Sequence, residues 1–161
     1  MTTPSQPPRR DGDGALEGGA TVLWDGDLKT GHGTLCFSLG AGGELPLLWP
    51  GAAAYGPGAT SPEELAAAAH AACFTMTLAH TLARQRHPPQ QITTSAEASF
   101  GLVDGIRRIV RSQLEVMVQA EGVTAAELEH AANLAGHYCP VSNTLQAAGV
   151  ELVVAARLTS P

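Results

Sequence analysis

The chain has 161 residues, a length that fits one domain and can bury a core without disulfide staples. Its formal net charge is -6 and its basic runs are no longer than two arginines, which argues against a nucleic-acid partner. Three cysteines are an odd number, which favours thiol chemistry or buried thiols over a structural disulfide framework. The chain opens without a signal-peptide pattern, so we expect a cytoplasmic protein.

The chain is predicted to begin with a tail and a β-hairpin. Residues 1–18 are polar and rich in Pro and Gly, which predicts a flexible tail. Residues 19–161 are expected to form a single domain. Its first strands are predicted over residues 21–24 and 33–39, and the loop over residues 40–60 leaves room for an optional short strand at 45–49.

A long helix is predicted next. Ser61, Pro62 and Glu64 form a helix-start pattern with a capping box, and a proline pair after His87 stops the helix. Residues 65–86 are apolar on nearly every face, which predicts that neighbouring elements surround this helix. We expect a core helix rather than a membrane span.

The hydrophobic period then changes from helical to two. Residues 92–102 and 110–118 alternate apolar and polar side chains, and Asp104-Gly105 between them is a hairpin signal. One-sided alternation is typical of an antiparallel sheet with one covered face.

Two helices and a strand complete the chain. Thr124 and Glu127 form a second capping box, and that helix is predicted to end at Gly136. Cys139 stands before Pro140 at the start of a short helix, and a last strand follows from residue 150. The predicted order β-β-(β)-α-β-β-α-α-β indicates an α+β domain.

Two of the cysteines lie in different helical settings. Cys139 is placed at a helix N-terminus, whose partial positive charge favours a thiolate. Cys73 lies about ten residues into the long helix and gains nothing from that helix's N-terminus. If one sulfur is oxidised to a sulfenic acid, the other can condense with it to form a disulfide.

Other interpretations of these residues stay open. Free cysteines often only pack in a core, and Cys36 on an apolar strand receives no role. His70 with Cys73 and His137 with Cys139 could supply four zinc ligands, although the spacing is unusual for such a site. Apolar space between helix and sheet could instead hold a small apolar ligand.

The motifs around both cysteines resemble a known family. Ser-Pro-Glu-Glu-Leu at 61–65, followed by Ala-Ala-His-Ala-Ala-Cys-Phe at 68–74, is similar to the first cysteine motif of the OsmC/Ohr family. Cys-Pro-Val-Ser at 139–142 resembles the second motif, and residues 24–34 resemble the N-terminal hairpin of the OsmC branch. The resemblance covers residues 20–159.

This resemblance implies an activity and a fold. The OsmC-like fold is an intertwined homodimer in which antiparallel sheets wrap around long central helices. Cys73 would be the peroxidatic cysteine, which reduces an organic hydroperoxide, with hydrogen peroxide as a further candidate substrate. Cys139 would be the resolving cysteine, which closes an intramolecular disulfide that a dithiol reductant reopens. The family needs no cofactor and no metal, and we expect neither a nucleic-acid nor a membrane partner.

Glu63 matches the glutamate with which the family holds an arginine against the reactive sulfur. Glu63 and Cys73 are ten residues apart, which is about 15 Å along one helix and roughly 80° around it. We therefore expect Glu63 of one subunit to approach Cys73 of the other.

One departure from the family concerns the arginine. Residues 40–60 contain no cation, although the activating arginine is expected just before the long helix. His70, one helical turn before Cys73, is a possible substitute. The departure supports an alternative function, in which an OsmC-fold protein with weak or lost peroxidase activity binds an apolar small molecule.

Overall fold

A computed structural model describes residues 18–159 of the chain. The predicted tail over residues 1–18 lies almost entirely outside this range. The described residues divide into two compact units, the first ending at Ser61 and the second beginning at Pro62.

The first unit is a three-stranded antiparallel sheet. Its strands are β1 (Ala20–Asp25), β2 (His32–Phe37) and β3 (Glu44–Leu47), paired in the order β1-β2-β3. The turn between β1 and β2 is closed by the Asp27 side chain, which accepts the Lys29 N–H at 2.8 Å. All three predicted strands are confirmed.

The second unit contains three helices and a second three-stranded sheet. The helices are α1 (Pro62–Arg84), α2 (Ala125–Tyr138) and α3 (Pro140–Ala147). The strands are β4 (Gln91–Val103), β5 (Ile106–Gln119) and β6 (Glu151–Leu158), in the order β4-β5-β6. This architecture confirms the α+β class and the predicted order of elements.

The β4–β5 hairpin turns at the two residues that the sequence indicated. Asp104 and Gly105 have φ values of 52° and 76°, so both lie in the left-handed region that a two-residue hairpin requires. The two strands then pair antiparallel along their whole length, with one bulge at Ser99/Phe100.

The last strand departs from the expected antiparallel sheets. β6 pairs with β5 in parallel, with Arg111 opposite Glu151 and Val118 opposite Leu158. The physical reason is the connection, because α2 and α3 carry the chain back to the end of the sheet where β5 begins.

The core of the second unit lies between α1, α2 and the inner face of β5. Alternate residues of β5 are buried: Ser112, Leu114, Val116 and Val118. The buried residues of α1 form one stripe with a spacing of four: His70, Phe74, Leu78 and Leu82. Within one chain, this stripe is the buried part of α1. The sequence, in contrast, predicted that neighbouring elements would cover every face of the helix.

The remaining surface of α1 is apolar but more open. Met76, for example, is 67% exposed. By length and composition α1 is the one helix among residues 18–159 that could cross a membrane. The core helix of a soluble protein passes the same test, and α1 packs against β4, α2 and α3 in this unit.

The helix before Cys139 is longer than predicted. Its capping box is confirmed, because Glu127 accepts the Thr124 N–H at 2.8 Å and donates its own N–H to the Thr124 hydroxyl. The predicted end at Gly136 is wrong, since the Cys139 N–H donates to the Ala135 carbonyl at 2.8 Å and α2 continues to Tyr138.

Candidate functional site

The second unit brings Cys73 and Cys139 together. Cys73 lies in the middle of α1 and is half-buried, whereas Cys139 lies between α2 and α3 and is fully buried. The two thiols are within hydrogen-bonding reach, and each changes the pKa of the other. Both are in the reduced form, so the arrangement is that of a dithiol before any oxidation.

Cys139 occupies the helix N-terminus that the sequence predicted. It is the N-cap of α3, Pro140 takes the first helical position, and the Cys139 sulfur accepts the Ser142 N–H at 3.5 Å. Burial raises the pKa of the Cys139 thiol, but hydrogen bonds from the Ser142 hydroxyl and N–H, from Cys73 and from the Val141 N–H outweigh it. The pKa of Cys139 is therefore lowered from its usual value.

Cys73 has the opposite tendency. Burial has the largest effect and raises the pKa of the Cys73 thiol; a hydrogen bond from the Val141 N–H lowers it, the contact with Cys139 raises it, and a hydrogen bond from Thr77 lowers it slightly. None of these influences, all of which come from the described part of the chain, is a cation. The lack of an arginine noted in the sequence thus has a counterpart in the surroundings of this sulfur.

His70 does not serve Cys73. Its Nδ1 lies 2.7 Å from the Ser112 hydroxyl oxygen and its Nε2 lies 2.8 Å from the Ser142 hydroxyl oxygen, with all three side chains buried. Both ring nitrogens are therefore occupied, and the hypothesis that His70 activates Cys73 is wrong. Burial lowers the pKa of His70, which favours the neutral imidazole.

The zinc interpretation finds no matching geometry. Among residues 18–159, no three His, Cys, Asp or Glu side chains lie close enough together to hold a metal ion. His70 is bound by two serines, and the His137 ring stacks edge-on against Tyr138. Cys36 lies on β2 in the first unit, opposite Thr21 and Glu44.

Glu63 lies in the first turn of α1. Its Oε2 atom is buried and has no hydrogen-bond partner among the described residues. Ten helical residues separate Glu63 from Cys73, so about 15 Å of helix axis lies between them. A buried carboxylate oxygen is costly without a donor, so Glu63 is suited to receive one from outside the described chain.

A groove of about 790 Å³ runs along α1 just beyond Cys73. Its lining is mainly apolar and includes Met76, Thr77, His80, Arg84, Leu134 and Tyr138. Thr77 connects the groove to the cysteine, because its hydroxyl donates to the Cys73 carbonyl oxygen at 2.9 Å. A molecule with an apolar body could therefore lie within one helical turn of Cys73.

The fold and the site together define a class: α+β proteins in which a thiol from a long helix meets a second thiol at the start of another helix. The sequence matches the profile of the OsmC-like protein family over residues 55–154. It is also 36% identical over 124 residues to Peroxiredoxin OsmC of Escherichia coli (strain K12), which covers 77% of this chain and 86% of that protein. The chain belongs to the OsmC family.

Solved structures agree with this assignment. The organic hydroperoxide resistance protein OhrB of Bacillus subtilis is 25% identical, has a TM-score of 0.69, and is matched over 86% of this chain and 98% of that one. An OsmC-like protein of unknown function from Vibrio cholerae has a TM-score of 0.70 at 21% identity, over 88% and 99% of the two chains. The latter likeness supports the fold alone.

Ser112 and Ser142 were missed as site residues by the sequence reasoning. Ser142 belongs to the second cysteine motif, and as the third residue of α3 it stands where an N-cap acceptor is bound. Ser112 falls on the apolar face of β5, in register with Leu114 and Val116. A buried serine on an apolar face needs a partner, and this was the available signal.

Proposed function

We propose that this protein is a thiol-dependent peroxidase that reduces organic hydroperoxides through Cys73 and Cys139. The observation that supports the proposal most directly is the contact between the two thiols in the reduced protein. The family membership supports it further, since a relative at 36% identity is named a peroxiredoxin.

The proposed reaction has three steps. The Cys73 thiolate attacks the hydroperoxide, its S–O bond forms as the O–O bond breaks, and the alcohol leaves with a proton. The Cys139 thiolate then attacks the Cys73 sulfenic acid, forms the S–S bond and releases water after protonation. A dithiol reductant finally reopens the disulfide by thiol–disulfide exchange. The cytoplasm, our proposed location, keeps such reductants available.

The division of roles follows from exposure. Cys73 is partly exposed and lies one helical turn from Thr77 in the groove lining, so a hydroperoxide can reach it, whereas Cys139 is fully buried. The apolar lining of the groove favours an organic hydroperoxide over hydrogen peroxide, because it can bind an alkyl or aryl body. No cofactor or metal takes part in the proposed reaction.

We further propose that the active form is a homodimer in which Glu63 of one subunit approaches the Cys73 region of the other. The support is the unpartnered buried Oε2 of Glu63 and the open apolar surface of α1 around Met76. A second copy would cover that surface. Light scattering should give twice the mass of one chain, and a monomer under assay conditions would contradict the proposal.

One observation favours a second candidate function. The Cys73 thiol has a raised pKa and no cation among the main influences on it from residues 18–159, which would make its attack slow. In that case the groove along α1 would serve as a binding site for an apolar small molecule.

A steady-state assay with cumene hydroperoxide and a dithiol reductant separates the two functions. For a peroxidase we expect turnover that falls to background in Cys73→Ser, and a Cys73–Cys139 disulfide by peptide mapping of the peroxide-treated protein. Cys36→Ser serves as the matched control and should keep full turnover. Unreactive thiols together with a co-purifying apolar ligand would instead support the binding function.

A further inference from the structure

The buried side chains of Ser112, His70 and Ser142 form a continuous hydrogen-bonded row, and the Ser142 N–H donates to the Cys139 sulfur at 3.5 Å. Ser112 comes from β5, His70 from α1 and Ser142 from α3, so three elements contribute one group each. Each of the three residues is 1% exposed. Polar groups buried this deeply are costly unless they are fully hydrogen-bonded, which requires one consistent set of donors and acceptors.

The direction of these hydrogen bonds is restricted by simple counting. A neutral imidazole has one N–H donor and one acceptor nitrogen, and each serine hydroxyl has a single hydrogen to donate. The Ser142 hydroxyl lies 2.8 Å from His70 Nε2, and a hydrogen bond from this hydroxyl to the Cys139 sulfur lowers the pKa of the thiol. If Ser142 gives its hydrogen to the sulfur, Nε2 must be the protonated nitrogen of His70.

The other end of the row fits that direction. With the hydrogen on Nε2, Nδ1 is the acceptor, and the Ser112 hydroxyl can donate to it at 2.7 Å. Every member then has a partner: Ser112 donates to His70, His70 donates to Ser142, and Ser142 donates to the sulfur. In the opposite direction both hydroxyl hydrogens point away from Cys139, and the sulfur loses a donor at the point where a thiolate needs it.

We propose that His70 is a positioning residue for the resolving cysteine, because as the Nε2–H tautomer it holds the Ser142 hydroxyl as a donor to the Cys139 sulfur. The hydrogen bond favours the thiolate form of Cys139 before Cys73 is oxidised. The thiolate can attack the Cys73 sulfenic acid without first losing a proton, so the S–S bond forms as hydroxide leaves and becomes water. This inference rests on the proposed peroxidase function for its kinetic consequence, but not for the state of Cys139 itself.

The titratable groups that face the Cys139 sulfur are few. Cys73 from α1 contacts it directly, and His70 from the same helix acts through Ser142. α3 itself contributes only hydrogen-bond donors that do not titrate: the N–H groups of Val141 and Ser142 and the Ser142 hydroxyl. When the Cys73 thiol is removed, Cys139 is the one titrating sulfur at this site. The midpoint of its titration then measures the effect of the hydrogen bonds through Ser112, His70 and Ser142.

The test is a titration that does not depend on peroxidase activity. In a Cys36→Ser/Cys73→Ser background, thiolate absorbance at about 240 nm follows Cys139 alone. Ser142→Ala and His70→Leu should each move the midpoint to higher pH, by an amount that lowers the thiolate fraction at neutral pH about tenfold. Ser142→Thr keeps the hydroxyl and should keep the midpoint.

Thr94→Val is the matched control. It removes another partly buried hydroxyl contact of the same unit, to Thr75 at 2.6 Å, which is not part of the row. Its midpoint should stay unchanged. If Ser142→Ala and His70→Leu also leave the midpoint unchanged, the proposal is wrong. If Ser142→Ala shifts it and His70→Leu does not, Ser142 acts alone and the role of His70 is rejected.

A second measurement needs no substitution. Nitrogen-15 chemical shifts of the His70 ring report which nitrogen holds the proton, and we expect Nε2–H in the reduced wild-type protein. A proton on Nδ1 would overturn the proposal even if the substituted proteins fail to fold. If the tautomer and the titration agree but peroxide is not turned over, the proposed function fails and this inference stands.

Discussion

Cys73 and Cys139 touch each other, yet their surroundings differ in almost every respect. Cys139 is buried at the start of α3, with donors from Ser142 and Val141 aimed at its sulfur. Cys73 lies in the middle of α1, one helical turn before the groove residue Thr77, and its pKa is raised by burial and by its neighbour Cys139. The chain thus places the lower pKa on the inaccessible sulfur and the access on the sulfur with the higher pKa.

This difference separates two requirements that a single reactive cysteine must combine. The attacking sulfur must be reachable by substrate, and the resolving sulfur must be ready when the sulfenic acid forms. The second requirement is met within one chain by α3 and its hydrogen bonds. The first requirement is met only in part. Substrate can reach Cys73, but none of the groups of the described chain that mainly set its pKa is positively charged.

The largest effect expected is on peroxide consumption, which should persist for one equivalent when Cys139 is substituted and disappear when Cys73 is substituted. Cys139→Ser should still consume one equivalent of hydroperoxide and retain a Cys73 sulfenic acid, because only the second step needs Cys139. Cys73→Ser should consume none. Intact-protein mass spectrometry after one equivalent of peroxide distinguishes the two variants. Equal oxidation of both would contradict the assignment of Cys73 as the attacking and Cys139 as the resolving cysteine.

The pH dependence of the two thiols should differ next. Since the pKa of Cys73 is raised and that of Cys139 lowered from 9.0, the midpoint of the pH profile for alkylation should lie below pH 9.0 for Cys139 and above pH 9.0 for Cys73. Iodoacetamide labelling followed by peptide mass spectrometry measures each site separately. A common midpoint for both would contradict the contrast.

A smaller effect is expected on stability in mild acid. Burial lowers the pKa of His70 from 6.5, so below pH 6.5 the unfolded chain binds a proton that the folded protein resists. The free energy of unfolding should therefore fall as the pH drops below 6.5, until His70 is protonated in the folded protein as well. Urea denaturation above and below pH 6.5 tests this. If His70→Leu shows the same fall in the free energy of unfolding below pH 6.5, a group other than His70 causes it.

Much of the fold could be predicted because it depends on local chemistry. The hairpin at Asp104-Gly105 and the capping box of Thr124 and Glu127 need only neighbours in sequence. The parallel pairing of β6 could not be obtained in this way, since strand direction depends on where α2 and α3 deliver the chain. Gly136 was taken as a helix end, but in α2 it continues the helix.

The site was predictable to the same extent. The place of Cys139 before Pro140 is a local pattern, and the structure confirms it. The partners of His70 lie 42 and 72 residues away, and nothing in the sequence joins those positions before the chain is folded. The role assigned to His70 was wrong for this reason, because its position one turn before Cys73 was the only neighbourhood visible.

Cys139 is at once the last cap of α2 and the first cap of α3. Its N–H completes α2 through the Ala135 carbonyl, and its sulfur accepts the N–H of Ser142 in the first turn of α3. A disulfide sulfur is a weaker acceptor than a thiolate, so oxidation should loosen the start of α3 while leaving the end of α2 tied. Amide hydrogen exchange at Ser142 would then report the oxidation state of the protein, with the Cys139 amide as an internal reference.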